Sequence, residues 1–214
     1  MTRRICIDTN ILFPYPFRIE TENNLLEEYQ SIKTGQTPIL TKWEYIFYTD
    51  YDLLISPLAA WEYQSIRLRR LHDHKNIAAD SQKVKVAWDA LTKRFDIKVG
   101  INPLNLAISV LFGAATGTPC FDSYHFIHGI ENKADFFVTN NRKDFLNCKK
   151  YPKEQVLSKV LGMLNKNKPI AVEGFLFLNT AISKISHLQI KKKTMYLFQT
   201  RWPEIITEPA DLPL

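Results

Sequence analysis

Short apolar runs separated by stretches of helical periodicity give this chain its pattern. Residues 3–7 end in the short apolar run Ile5-Cys6-Ile7 and predict a first strand that ends at Asp8. Residues 52–56 predict a second short, buried strand, and residues 134–141 predict a third that ends at Thr139. Residues 168–172 fit one more strand.

Helical spacing fills much of the sequence between these strands. Polar residues from Thr21 and a stop at Gly35 bound the first helix, and Ser56 with Pro57 starts the second. The predicted helices cover residues 21–35, 57–75, 81–95, 104–112 and 120–133, with a loop at 113–119. The alternation of strands and helices predicts an α/β fold, a three-layer α/β/α sandwich around a central parallel sheet. We expect residues 1–214 to form a single domain.

Composition narrows the class of protein. Hydrophobic residues make up 45% of the 214 residues and charged residues 23%, which is ordinary for a soluble globular protein. The chain has no apolar run long enough to span a membrane, and Asp8 interrupts any signal-peptide core. We therefore expect a cytoplasmic protein without a membrane partner.

Net charge and cysteine content by themselves say little about the partners or the metal sites of this protein. The net charge of +6 slightly favours a polyanionic partner. Basic clusters at residues 67–75, 141–153 and 190–195 fit solvated faces as well as phosphate contacts. Three scattered cysteines form no CxxC pair, and Cys120, His125 and His128 lack the second ligand pair of a zinc site.

Carboxylates fall where a parallel sheet gathers ligands. Asp8 closes the first strand, Glu62 lies in the helix after the second, and Asp122 opens the helix before the third. Asn141 and Asp144 follow that third strand. Because the carboxyl ends of parallel strands share one edge of the sheet, these side chains are expected to meet there.

Several carboxylates in one cleft repel one another unless cations neutralise them. Oxygen ligands favour Mg²⁺ or Mn²⁺, and Mg²⁺ commonly keeps water molecules that a phosphate oxygen can replace. This chemistry suits hydrolysis of a phosphodiester bond. The alternative for Asp8 is a turn residue that bonds nearby amides, and for Asp122 a carboxylate at the positive end of a helix.

Three segments together resemble the PIN-domain nuclease family. They are ICIDTNIL, SPLAAWEY and CFDSYHFIHGIENKADFFVTNNRKDF. The matching pattern is an Asp-Thr-Asn at the end of the first strand, a Glu in a later helix, an Asp opening another helix and a V-T-x-[DN]-x-x-D-F strand exit. The likeness covers residues 3–12, 53–75 and 119–146.

The resemblance implies a metal-dependent endoribonuclease. Asp8, Glu62 and Asp122 would bind Mg²⁺ or Mn²⁺, and Thr9 or Thr139 would position the strand ends and the catalytic water. Many relatives are toxins held by an antitoxin, whereas others process RNA. RNA is thus the expected substrate, with an antitoxin protein or a second copy of the chain as further partners.

Two departures from the family pattern leave alternatives open. Asn141 stands where the family often has Asp, so either Asn141 as a ligand or Asp144 as a charge completes the site. An insertion around residues 13–51 and a C-terminal extension from about residue 165 lengthen the chain. A catalytically weakened scaffold that binds RNA or protein is the alternative function. An aspartyl phosphatase is disfavoured, since Asn10 stands where its acid would be.

Overall fold

A computed structural model describes residues 2–12, 43, 46, 50–70, 96–97, 101–165 and 185–213. The predicted helices at 21–35 and 81–95 and the predicted strand at 168–172 lie outside these ranges. So does almost all of the insertion at 13–51.

Five described strands form one sheet in which every neighbouring pair is parallel. The spatial order is β3-β2-β1-β4-β5. The strands are β1 (Arg4–Ile7), β2 (Asp52–Ile55), β3 (Asp96–Ile97), β4 (Phe136–Val138) and β5 (Glu204–Ile206). The predicted α/β class and parallel sheet are confirmed.

The register of the central strand decides which residues meet at the edge. Ile7 lies opposite Ile55 on one side and Val138 on the other. The residues that follow these three, Asp8, Ser56 and Thr139, therefore leave the sheet side by side, which is the arrangement expected of parallel strands in register.

Seven α-helices lie within the described ranges, followed by a 3₁₀ turn at Pro209–Asp211. They are α1 (Thr9–Leu12), α2 (Pro57–Arg70), α3 (Pro103–Thr116), α4 (Cys120–Glu131), α5 (Leu146–Lys150), α6 (Lys153–Asn165) and α7 (His187–Gln199). No single described helix has the length and apolar composition to cross a membrane; α3 and α4 qualify only as a pair, bent by 115°.

The predicted loop at 113–119 is wrong in its first half, because α3 continues to Thr116. Asn102 caps the start of α3 through its side chain, and Gly117 ends the helix with φ of 80°, a left-handed conformation that glycine adopts without strain. Gly113, which suggested the end of the helix, instead lies within the helix and packs closely against the residues that follow it. A Cβ there would lie 2.6 Å from the carbonyl oxygen of Thr118.

Strand β5 and helices α5 to α7 were not predicted from the sequence. β5 has only three residues, and it begins with an exposed glutamate at the edge of the sheet. The part of the C-terminal extension that the structure describes therefore contributes a strand to the sheet beside β4.

Apolar clusters cover both faces of the sheet. Side chains alternate along each strand, so that Cys6, Leu54 and Phe137 pack into the cluster formed with α3, α4, α6 and α7. The flanking residues, such as Ile7 and Val138, pack on the other face against α1, α2 and Trp43. Complete burial of an apolar side chain of this size contributes about 1.5–3 kcal/mol.

Gly129 brings α4 close to the central strand. A Cβ at this position would lie 3.1 Å from the Cβ of Cys6, which is tighter than ordinary contact. The Cys6 thiol in turn approaches the carbonyl oxygen of His125 at 3.6 Å. This close packing fixes the position of α4 relative to the end of β1.

Candidate acidic site

Asp8 forms the floor of the site. It lies directly after β1, is only 1% exposed, and its amide donates to the carbonyl oxygen of Val138 at 3.0 Å. The chain then turns into α1, where the amide of Ile11 donates to the Asp8 carbonyl oxygen at 3.0 Å. The carboxylate is thus buried at the middle of the sheet edge, between the ends of its two neighbouring strands.

Two side chains donate hydrogen bonds to the Asp8 carboxylate. The Thr139 hydroxyl donates to Oδ2 at 2.6 Å and the Asn10 amide donates to the same oxygen at 2.8 Å. Burial raises the pKa of Asp8, and the charge of Glu62 raises it further, while the charge of His125 and the hydrogen bond from Thr139 partly oppose the rise. A buried carboxylate with a raised pKa favours a proton or another cation beside it.

Glu62 reaches the same region from α2. The Thr9 hydroxyl donates to Glu62 Oε2 at 2.5 Å, and the ring nitrogen Nε2 of His125 lies 3.0 Å from that oxygen. Burial alone would raise the pKa of Glu62, but the hydrogen bond and charge of His125 outweigh it and lower the pKa. Glu62 is therefore held as a carboxylate at the side of the site.

His125 occupies the centre of this network, although no sequence pattern assigned it a role there. It lies one turn after Asp122 on α4 and is 1% exposed. Its Nδ1 lies 2.6 Å from the Ser56 hydroxyl. Burial acts to lower the pKa of His125, but the hydrogen bond to Glu62 and the nearby carboxylates raise it overall.

Asp122 lies on the third side of the site, in the first turn of α4. Its Oδ2 accepts a hydrogen bond from the Asn141 side-chain amide at 3.0 Å. Burial, followed by the charge of Asp8, raises the pKa of Asp122 to about 7, and Asp144 adds to the rise. Asp8 therefore interacts electrostatically with both Glu62 and Asp122, and His125 interacts with all three carboxylates.

The exit from β4 holds the remaining predicted residues. Thr139 accepts from the Asn141 backbone amide at 2.9 Å while it donates to Asp8. Asn141 touches Asp122 directly through its NH₂ group, whereas Asp144 acts on Asp122 through its charge. The Asp144 backbone lies in a turn, with its amide donating to the Asn141 carbonyl oxygen at 3.2 Å.

Asn10 and Asn140 join the two strand exits on the outside of the site. The Asn140 backbone amide donates to the Asn10 side-chain oxygen at 2.9 Å. The indole of Trp43 donates to the side-chain oxygen of Asn140 at 2.6 Å. The Asp-Thr-Asn motif therefore uses Asn10 to hold β1 and β4 at a fixed separation.

The donors around the site suit a hard divalent cation. Carboxylate, amide and hydroxyl oxygens predominate, and Mg²⁺ needs only one or two direct carboxylates because water molecules complete its shell. Among the described side chains, hydrogen bonds to Glu62 and Asp122 end on Oε2 and Oδ2, which leaves the other oxygen of each for a ligand. No three His, Cys, Asp or Glu side chains in the described ranges are already arranged to hold a metal ion.

Comparisons with protein-family models, with curated proteins and with solved structures found no match. The likeness to PIN-domain nucleases rests on the motif residues of the chain.

Proposed function

We propose that this protein is a PIN-like, metal-dependent endoribonuclease that hydrolyses RNA phosphodiester bonds at the acidic site. One observation carries the proposal: three carboxylates from distant segments converge on one edge of the sheet without enough positive charge around them. The shortage of positive charge is clearest at Asp122, whose pKa is raised to about 7. A divalent cation would remove it.

The residues around the site would divide the work. Asp8, Glu62 and Asp122 would hold Mg²⁺ or Mn²⁺, and the side-chain oxygen of Asn141 would be available after a side-chain rotation. When bound, the ion would stabilise negative charge on the phosphate and activate a water molecule. Thr139 holds the carboxylate of Asp8 by a 2.6 Å hydrogen bond, so its own part is to keep that ligand oriented.

Basic side chains that follow Asn141 would contact the RNA backbone. Arg142 and Lys143 follow Asn141 directly, and Lys149 and Lys150 lie at the end of α5; all four are exposed. Cations beside an acidic centre attract the phosphates that flank the cleaved bond. Asp144, within this segment, would contribute charge to the site rather than a direct contact with Asp122.

The finer fold and the biological setting belong to the same proposal. Apolar clusters on both faces of the sheet support a three-layer α/β/α sandwich of PIN type. We propose a cytoplasmic enzyme that acts alone on RNA or as a toxin restrained by an antitoxin protein, and a second copy of the chain is a further candidate partner.

A catalytically weakened scaffold that binds RNA is the second candidate. It is favoured by the NH₂ group that Asn141 points at Asp122, and by the lack of a preassembled metal-binding group among the described side chains. A scaffold would use the basic surface without the acidic site.

Cleavage of a labelled single-stranded RNA distinguishes the two. The wild type should cut RNA in Mn²⁺ or Mg²⁺, stop in EDTA and recover when the ion is restored. Asp8→Asn should lower the rate at least about 100-fold, since loss of a direct ligand should exceed the 10–100-fold effect of an outer-shell change. Asp50→Asn, which removes an exposed carboxylate before β2 at the opposite end of that strand, is the control.

The alternative outcome is equally specific. Binding of RNA that ignores EDTA, with no cleavage in either ion, would favour the scaffold. Cleavage that survives Asp8→Asn would come from a contaminant or from another site, and would refute the proposal.

A further inference from the structure

We infer that His125 is a positioning residue that fixes the Glu62 carboxylate in the acidic site. The inference rests on the proposed function, in which Glu62 serves the metal. His125 itself would touch neither the ion nor the RNA.

Both nitrogens of the His125 ring are occupied by protein groups. Nδ1 lies 2.6 Å from the Ser56 hydroxyl, and Nε2 lies 3.0 Å from Glu62 Oε2. The Ser56 oxygen also accepts the amide of Ala59 at 3.0 Å, as an N-cap of α2 does, so its own hydrogen is free to be donated to Nδ1. Neither nitrogen presents a free lone pair to a metal ion.

The hydrogen bonds also define which nitrogen carries a proton. An ionised carboxylate only accepts, so Nε2 must donate to Glu62. In the neutral ring the proton resides on Nε2, and Ser56 donates to Nδ1. In the charged ring both nitrogens donate, and Ser56 accepts. Either form presents the same N–H to Glu62.

Glu62 needs such support more than Asp8 does. Its side chain is 22% exposed and has three rotatable bonds, whereas Asp8 is short and buried in the floor. Ordering a glutamate costs more rotamer entropy than ordering an aspartate, because the glutamate side chain has one more rotatable bond. The hydrogen bonds from His125 and Thr9 oppose that cost and keep Glu62 turned inward.

The position of His125 on α4 ties two acids together. Residues three apart in a helix lie on one face, so α4 presents Asp122 and, one turn later, the ring that holds Glu62. Close packing of Gly129 on Cys6 sets this helix against β1, which leads to Asp8. A single helix therefore sets the spacing of all three carboxylates.

Two near-isosteric variants separate positioning from packing. His125→Gln places an NH₂ donor near the position of Nε2 and can still hold Glu62. His125→Asn places its amide near Nδ1 and reaches only Ser56. We expect His125→Asn to weaken Mn²⁺ affinity, measured from the EPR signal of the free ion, and kcat by about 10–100-fold. His125→Gln should recover most of both.

A double-mutant cycle gives the decisive comparison. If His125 acts through Glu62, adding His125→Asn to Glu62→Gln should change the Mn²⁺ dissociation constant less than about twofold. An equal loss in both backgrounds, or equal effects of the Asn and Gln variants, would overturn the inference. If His125→Asn does not fold, the ¹⁵N comparison of the metal-free wild type with Glu62→Gln carries the test alone.

A measurement on the metal-free protein distinguishes failure of this inference from failure of the proposed function. In the metal-free protein, Glu62→Gln should shift the ¹⁵N resonance of His125 Nε2 and leave the rings of His128 and His187 unchanged. A wild type that neither binds Mn²⁺ nor cuts RNA would refute the nuclease proposal, while this shift alone would still support the contact that holds Glu62. An unchanged Nε2 resonance would overturn the positioning role in every case.

Discussion

Replacing Asp122 with Asn should stabilise the metal-free protein at pH 8. The carboxyl is destabilised by burial and by the charges of Asp8 and Asp144, which together raise its pKa from 3.8 to about 7. The asparagine side chain would keep an oxygen for the hydrogen bond from Asn141 and would carry no charge. The substitution is therefore expected to remove a penalty without opening a cavity.

The magnitude follows from the raised pKa. At about 1.4 kcal/mol for each tenfold change in proton affinity, full ionisation would cost the folded state about 4 kcal/mol. The side chain is partly exposed, and solvent screening reduces this to about 2 kcal/mol. Because the folded state holds its proton more tightly than the unfolded state, the penalty is absent below pH 3.8, grows between 3.8 and about 7, and is complete above 7.

Urea unfolding in EDTA, measured at steps from pH 4 to pH 8, tests this reasoning. Asp122→Asn should exceed the wild type by about 2 kcal/mol at pH 8, or about 4–8 °C in melting temperature, and the two should converge toward pH 4. Asp50→Asn removes an equal but exposed charge and serves as the control. If the variant and the wild type have the same unfolding free energy at pH 8, or if their difference does not change with pH, the electrostatic account of the site is refuted.

Three further predictions follow from packing, hydrogen bonding and surface charge. Gly113→Ala should destabilise the protein by about 1–3 kcal/mol, because the new methyl would lie 2.6 Å from the carbonyl oxygen of Thr118. Gly162→Ala, whose new methyl has no atom within 4 Å, should instead stabilise its helix by about 0.5–1 kcal/mol. Urea midpoints that shift in the same direction in both variants would contradict this prediction. Thr139→Val should lower the free energy of unfolding by about 1–3 kcal/mol, because it removes the hydroxyl that donates to the buried carboxylate of Asp8. Thr139→Ser, which keeps the hydroxyl, should have the stability of the wild type in the same urea assay. Neutralising Arg142 and Lys143 with Gln should reduce the slope of log K against log salt for single-stranded RNA by about 0.7 for each phosphate that the two side chains neutralise; an unchanged slope would show that this segment does not touch RNA.

Residues at the ends of strands were predictable from the sequence because their placement is a local matter. An apolar run followed by Asp8 or Thr139 implies a polar group at the sheet edge, and helical spacing places Glu62 in the helix after β2. Parallel pairing then brings together the residues that follow neighbouring strands, whatever the lengths of the segments that connect those strands. The sequence pattern was therefore sufficient for the three acids.

Partners of those acids were not predictable in the same way. His125 bonds Ser56 and Glu62, which precede it by 69 and 63 residues. Its one sequence signal was its spacing of three from Asp122, and a buried histidine in an apolar helix gives the same pattern. β5 was missed for a related reason, since an edge strand of three residues depends on β4 rather than on its own composition.

The order of strands in the sheet has a consequence for synthesis on the ribosome. The segment bearing Asp8 emerges before both of its neighbouring strands, which lie 48 and 131 positions downstream of the residues they pair with. Contacts of such long range form slowly and only after the later partner exists. Until synthesis has passed β4, the nascent chain lacks the Thr139 and Asn141 side chains that contact Asp8 and Asp122. Under the proposed nuclease function, the growing polypeptide could not cleave the message that encodes it before the segment after β4 has been made.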